Sequence, residues 1–160
     1  MNNTLNKNLM YGFIGGAMIA VIIALVFSGD STDPISNGTG PKVTVYKSLS
    51  CGCCVNYISY LKKNGYDVTV VSTNDTADIK DKYNIPHNMQ SCHTTVMDDV
   101  AIEGHVPLDA VTMIREQNPD LEVVALPGMP AGSSGMPGIK RGDFKIFALH
   151  DGAVTNSINF

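Results

Sequence analysis

The chain has no tryptophan, no long block of like charge and no internal repeat. Basic residues are scarce: eleven Lys and Arg stand against fifteen Asp and Glu, for a formal net charge of -4. All fifteen acids but only ten of the bases lie beyond residue 27. Nucleic-acid binding calls for a basic face, and this composition excludes one. Cysteine is sparse too, four in 160 residues, and three of the four share one tetrapeptide. A stabilising framework spreads its crosslinks to close long loops, so this clustering argues for a site rather than staples.

Charge is missing altogether from residues 9–27 (LMYGFIGGAMIAVIIALVF). As a helix rising about 1.5 Å per residue, this run would span roughly 28 Å, close to the hydrocarbon thickness of a bilayer. Lys7 precedes it; Asp30 and Asp33 follow, with no base before Lys42. The positive-inside bias then places the N-terminus in the cytoplasm and the remainder on the outer face of the cytoplasmic membrane. No small-x-small cleavage pattern and no cysteine follow the run, so residues 1–28 read as an anchor in preference to a cleaved signal, and not as a lipoprotein leader. Residues 29–41 (GDSTDPISNGTGP) are small, polar and turn-forming, the composition of a flexible linker. Residues 42–160 are long enough for one core.

Within that domain, residues 42–47 alternate and are β-branched, a strand. Val55, Ile58 and Leu61 recur at helical spacing over 54–64, with Gly65 placed as a C-cap. Residues 67–72 form a second strand, 74–83 a short helix, and 94–97 and 100–103 two strands around Asp98-Asp99. Residues 107–118 make a helix with Pro at its first turn. A long Gly/Pro/Met loop covers 126–142. Strands over 144–149 and 153–158 flank Asp151-Gly152, a hairpin signal. The order β-α-β-α-β-β-α with a terminal hairpin predicts a thioredoxin-like α/β domain behind a single N-terminal transmembrane helix.

Cys51-Gly52-Cys53-Cys54 falls at the first strand-to-helix turn, where open α/β sheets place their sites and a helix N-terminus lowers thiol pKa. Cys51 and Cys54 form a CxxC pair with a third thiol, Cys53, between them. Downstream come Cys92-His93, then Glu103-Gly104-His105, then a loop carrying Met129 and Met136. Thiolate and thioether are soft donors and imidazole is borderline, a mixture that suits Cu(I) and, less specifically, zinc. Adjacent Cys53 and Cys54 cannot easily close on one ion but can bridge two. Hard carboxylate sites are not suggested. Bland readings stand beside these: Cys92 as a buried small hydrophobe, His93 as a local hydrogen-bonder, His105 as a helix cap, the two methionines as loop anchors. Glu103 reads as a pairing or hydrogen-bonding residue, and His87 and His150 as loop residues without a role.

The blocks CGCC, SCHT, EGHVP and PGMPAGSSGM, in that order, resemble the signature of the domain of unknown function 411 family, whose members are described as metal-binding or CopG-like proteins linked to copper resistance. The similarity runs from about Val43 to the C-terminus. It implies a thioredoxin-like fold, an exported location and copper handling. It carries metal-site roles onto Cys51, Cys53, Cys54 and Cys92, and onto His93, His105, Met129 and Met136. The loop departs from the family pattern at Ser134 and Pro137, and Tyr57 or a neighbour stands where relatives often carry Trp.

The expected function is a membrane-tethered protein that sequesters Cu(I) or transfers it to a trafficking partner, with copper or thiol redox chemistry as a possible accompaniment. The alternative is a thiol–disulfide oxidoreductase in which Cys51 attacks and Cys54 or Cys53 resolves. A third reading is an interaction domain stabilised by a closed structural zinc site.

Overall fold

The computed structural model describes residues 39–160. Its centre is a seven-stranded mixed sheet of β1 (Lys42–Ser48), β2 (Asp67–Thr73), β3 (His93–Met97), β4 (Val100–Glu103), β5 (Val123–Ala125), β6 (Lys145–His150) and β7 (Ala153–Asn159), in the order β2-β1-β3-β4-β5-β6-β7. β1 (Lys42–Ser48) alternates as its sequence does, burying Val43 and Val45. It pairs in parallel with β2 (Asp67–Thr73) and antiparallel with β3 (His93–Met97). β3 turns at Asp98-Asp99 into antiparallel β4 (Val100–Glu103). β5 (Val123–Ala125) runs parallel to β4, and the hairpin β6 (Lys145–His150) and β7 (Ala153–Asn159) completes the sheet.

Two helices serve the larger core. α1 (Gly52–Lys63) buries Cys54, Tyr57, Ile58 and Leu61, which share one face at three- and four-residue spacing. It ends in a Schellman arrangement: Tyr66 N–H donates to the Leu61 carbonyl and Gly65 N–H to the Lys62 carbonyl, with Gly65 at φ 88°. Lys62 and Lys63 in its last turn complement the helix dipole. α2 (Ala77–Lys82) is short. α3 (Leu108–Gln117) buries Ala110, Val111 and Ile114, which join the α1 residues and Val45, Ile102, Val124 and Ile146 in one cluster. Ile85, Ala101, Val123, Ala125 and Leu149 form a second, smaller cluster, with Tyr83 and Met89 packed against it.

The fold expectation needs correcting. The domain is a mixed α/β structure on seven strands, and β5 extends the sheet towards the terminal hairpin. β5 has only three residues, Val-Val-Ala, too short for any periodicity to show. Among the described residues no helix is long and apolar enough to cross a membrane. The longest, α1, has 12 residues and reaches about 18 Å, against roughly 30 Å of hydrocarbon. The expected transmembrane helix over residues 9–27 lies outside the described residues, as does most of the linker, and the structure does not support it. α2 starts later than its sequence suggested because Asp75 Oδ1 accepts the Ala77 N–H at 2.8 Å and fixes a turn there. His87–Met89 adds an unpredicted 3₁₀ turn.

Candidate metal centre

Strand direction explains how distant blocks meet. β1, β4 and β5 finish at the same end of the sheet, and antiparallel β3 begins there. The pairing Lys47↔His93 sets Cys92 beside the turn that carries Cys51. The pairing Thr94↔Glu103 sets His105, just past β4, beside Cys92. The loop after β5 leaves from the same end, with Leu126 N–H donating to the Glu103 carbonyl at 3.0 Å. This is the carboxyl end of parallel strands, where such sheets hold their ligands.

Cys51 caps α1: its Sγ accepts the Cys54 N–H at 3.3 Å. Cys51 and Cys54 are joined as a disulfide, and Cys53 and Cys92 are free thiols. Cys53 Sγ lies 3.6 Å from Cys51 Sγ and 3.7 Å from Cys92 Sγ. Cys54 Sγ is also 3.7 Å from Cys92 Sγ. Four sulfurs therefore fall within 4.8 Å of one another. Sulfurs around one tetrahedral ion at about 2.3 Å stand about 3.8 Å apart, and the 3.6 and 3.7 Å separations that Cys53 and Cys92 make match that spacing.

A second donor group shares Cys92. Its Sγ lies 3.3 Å from His93 Nδ1 and 3.6 Å from His105 Nε2. The tautomer of His105 is fixed, because a carbonyl can only accept. Nδ1–H of His105 donates to the Ser134 carbonyl at 2.7 Å, which leaves the Nε2 lone pair facing Cys92. Metal-bound imidazoles commonly carry such a carbonyl partner on the second nitrogen. His93 is fully buried, and its Nε2 has no hydrogen-bond partner. Such an unpaired buried atom costs about 1–3 kcal/mol, so this ring is not placed for stability alone. Tyr57 walls the site: its ring centroid is 4.7 Å from that of His93 and 5.4 Å from that of His105, and its hydroxyl donates to the Val106 carbonyl at 2.8 Å.

The electrostatics follow from burial. Burial and the neighbouring Cys53 thiol push the Cys92 thiol up to about 11. His93 is lowered to about 3 by burial, with His105 and Lys80 adding to the effect. Burial lowers His105 as well, partly offset by the Ser134 carbonyl. Both imidazoles are thus neutral, the form that ligates metals.

Of the eight residues singled out in the sequence, six converge: Cys51, Cys53, Cys54, Cys92, His93 and His105. Met129 sits exposed on the loop at φ 47°, and Met136 is half-buried two residues beyond Ser134. The loop is tied to the cluster through the Ser134 carbonyl, a backbone role that side-chain chemistry in the sequence does not signal. Glu103 pairs, as its sequence context suggested, with buried Lys80. Lys80 itself carries no sequence signal, standing in a short polar helix between Ile79 and Asp81. His87 and His150 are exposed and away from the donor groups; His150 Nδ1 bonds the Asp120 carbonyl.

The loop's approach depends on Gly135, which has φ 77°. A Cβ there would stand 2.6 Å from the Tyr57 nitrogen and 2.9 Å from the Asn56 carbonyl carbon. Gly135→Ala is expected to cost at least about 1–3 kcal/mol and to lift Ser134 from His105. Chemical denaturation reads the first effect. A shift in the His105 ring signals by nitrogen NMR reads the second, and unchanged signals would contradict it.

Fold and site together define a mixed α/β domain that carries a soft Cys/His metal-binding site at the end of its central strands. The sequence profile described as "Protein of unknown function, DUF411" matches residues 89–136. Two solved structures, described as copper resistance protein CopG in forms 1 and 2, superpose with TM-scores of 0.64 and 0.65. They are 33% and 35% identical, cover 79% and 74% of this chain, and are themselves covered over 98% and 99% of their lengths. No curated protein sequence matches. The chain belongs to the DUF411 family of CopG-like proteins, as the four ordered blocks of its sequence implied.

Proposed function

We propose that the protein binds copper as Cu(I) in the Cys/His cluster, sequestering it or passing it to a trafficking partner. The observation that carries this reading is the convergence of four sulfurs and two neutral imidazoles, with Cys92 common to both donor groups. The donor set is soft, fits Cu(I) better than any hard cation, and lacks a carboxylate ligand. The copper-resistance role named for the two structural relatives points the same way. Cys53 and Cys92 each face more than one donor, which suits sulfur bridging between ions and hence more than one ion per chain. The Cys51–Cys54 disulfide supports a site working outside the reducing cytoplasm. Met129 and Met136, on the loop that covers His105, are assigned the part of transfer ligands.

The test is the metal and free-thiol content of the protein prepared anaerobically with reductant. Copper with thiolate luminescence supports the proposal; a single tight, colourless zinc replaces it with a structural site. A thiol–disulfide oxidoreductase is the second reading, favoured by the disulfide at the helix start. It predicts turnover of a disulfide substrate that is lost in Cys51→Ser, with no metal bound.

Copper binding should strengthen with pH. With its pKa at about 11, the Cys92 thiol is protonated in the metal-free protein at neutral pH, so the incoming ion must displace that proton. Affinity then rises about tenfold per pH unit for each thiol proton released. The two histidines, held neutral, add no proton competition at neutral pH. Competition against a Cu(I) chelator between pH 6 and 8 checks the slope, and a flat profile would contradict it.

A further inference from the structure

Behind the cluster lies a buried ion pair that the metal reading does not use. Lys80 is 4% exposed and Glu103 fully buried, and they pair through Lys80 Nζ and Glu103 Oε1. Isolated charges are expensive to bury, and even a paired Lys–Glu is weak evidence for stability, because an apolar pair often serves as well. Its partners indicate another use. Glu103 Oε1 also accepts the backbone N–H of Ser91 at 2.5 Å, and Oε2 accepts the Thr94 hydroxyl at 2.6 Å. Lys80 Nζ donates to Thr94 Oγ1 at 3.2 Å. Ser91 and Thr94 bracket Cys92 and His93, so a single carboxylate holds the donor-bearing segment at both ends.

The same carboxylate belongs to the strand that delivers His105. Glu103 is the last residue of β4, and Gly104 N–H donates to the His93 carbonyl at 3.1 Å. Gly104 has φ 81°, and a Cβ on it would stand 2.7 Å from the Leu126 carbonyl oxygen and 2.9 Å from Ser91 Oγ. The segments 91–94 and 103–105 are thus locked in one register, and the 3.6 Å approach of Cys92 Sγ to His105 Nε2 depends on it. Lys80 anchors this lock to α2 and neutralises the carboxylate.

We propose that Glu103 and Lys80 are positioning residues for the metal centre, setting where Cys92 stands relative to the other donors. This deepens the copper reading and rests on it for its metal arm only. The test uses the full chain with the double substitution Lys80→Met/Glu103→Leu, which removes both charges together and so avoids a stranded buried ion. The variant is expected to fold, judged by its denaturation midpoint. In the metal-free protein, Cys92 should then alkylate about tenfold faster than in the native chain. Cu(I) affinity should fall about 10–100-fold, the usual cost of losing an outer-shell partner. Thr94→Val, which deletes only the hydroxyl contacts, should shift both readouts in the same direction by less, and it decides the matter if the double variant does not fold. Native alkylation rates and native copper affinity in a folded variant would overturn the proposal, whatever the midpoint. If the native chain takes up no copper, the copper reading fails and the alkylation arm alone decides the positioning role.

Discussion

Cys92→Ser is expected to abolish tight copper binding, lowering Cu(I) affinity by more than the 10–100-fold typical of outer-shell changes, roughly 100-fold or beyond. No other side chain belongs to both donor groups. Its sulfur stands 3.7 Å from Cys53 Sγ and from Cys54 Sγ, 3.3 Å from His93 Nδ1 and 3.6 Å from His105 Nε2. Serine keeps the shape but is a hard, weakly acidic donor, so the sulfur cage and the imidazole pair lose their common member. The thiol is only partly buried, and the fold should change by no more than about 1 kcal/mol. Competition with a Cu(I) chelator measures affinity and denaturation controls for folding. Native affinity in the variant would remove Cys92 from the site.

The second large effect concerns the Cys51–Cys54 bond. Oxidised, the chain offers Cys53, Cys92, His93 and His105; reduced, it gains two more thiolates within 4.8 Å of the Cys53 and Cys92 sulfurs. A disulfide sulfur is a poor ligand, since the thiolate is the binding form. Copper uptake by the oxidised protein should therefore fall by about half or more, and reductant should restore it. Cys51→Ala/Cys54→Ala should hold the lower stoichiometry whether or not reductant is present. Equal stoichiometry in the oxidised and reduced native protein would show that these two sulfurs are not ligands.

Much of this site was legible in the sequence because its chemistry is local. Three thiols at a strand-to-helix turn, and His93 next to Cys92, announce themselves without any knowledge of the fold. The periodicity that fixed α1 and the alternation that fixed β1 placed the three thiols at the junction of two elements. What the sequence concealed is what depends on pairing. Three-residue β5 has no period, yet it directs the loop back over the cluster. Ser134 acts through its carbonyl, which every residue possesses. Lys80 looks like a solvated lysine of a polar helix until Glu103, 23 residues away, is seen to need a counter-charge. The strong apolar run at residues 9–27 led to a transmembrane element in the fold class that the described structure does not support.

The central claim is that sulfur from the first helix turn and imidazole from the end of β4 serve one copper centre. X-ray absorption of the anaerobically reduced, copper-loaded protein tests this most directly. The account predicts Cu(I) with mainly sulfur neighbours at about 2.3 Å and a nitrogen contribution that falls in His105→Ala, where His93 is the imidazole left. Copper bound only through oxygen and nitrogen, or a nitrogen shell unchanged in that variant, would contradict it.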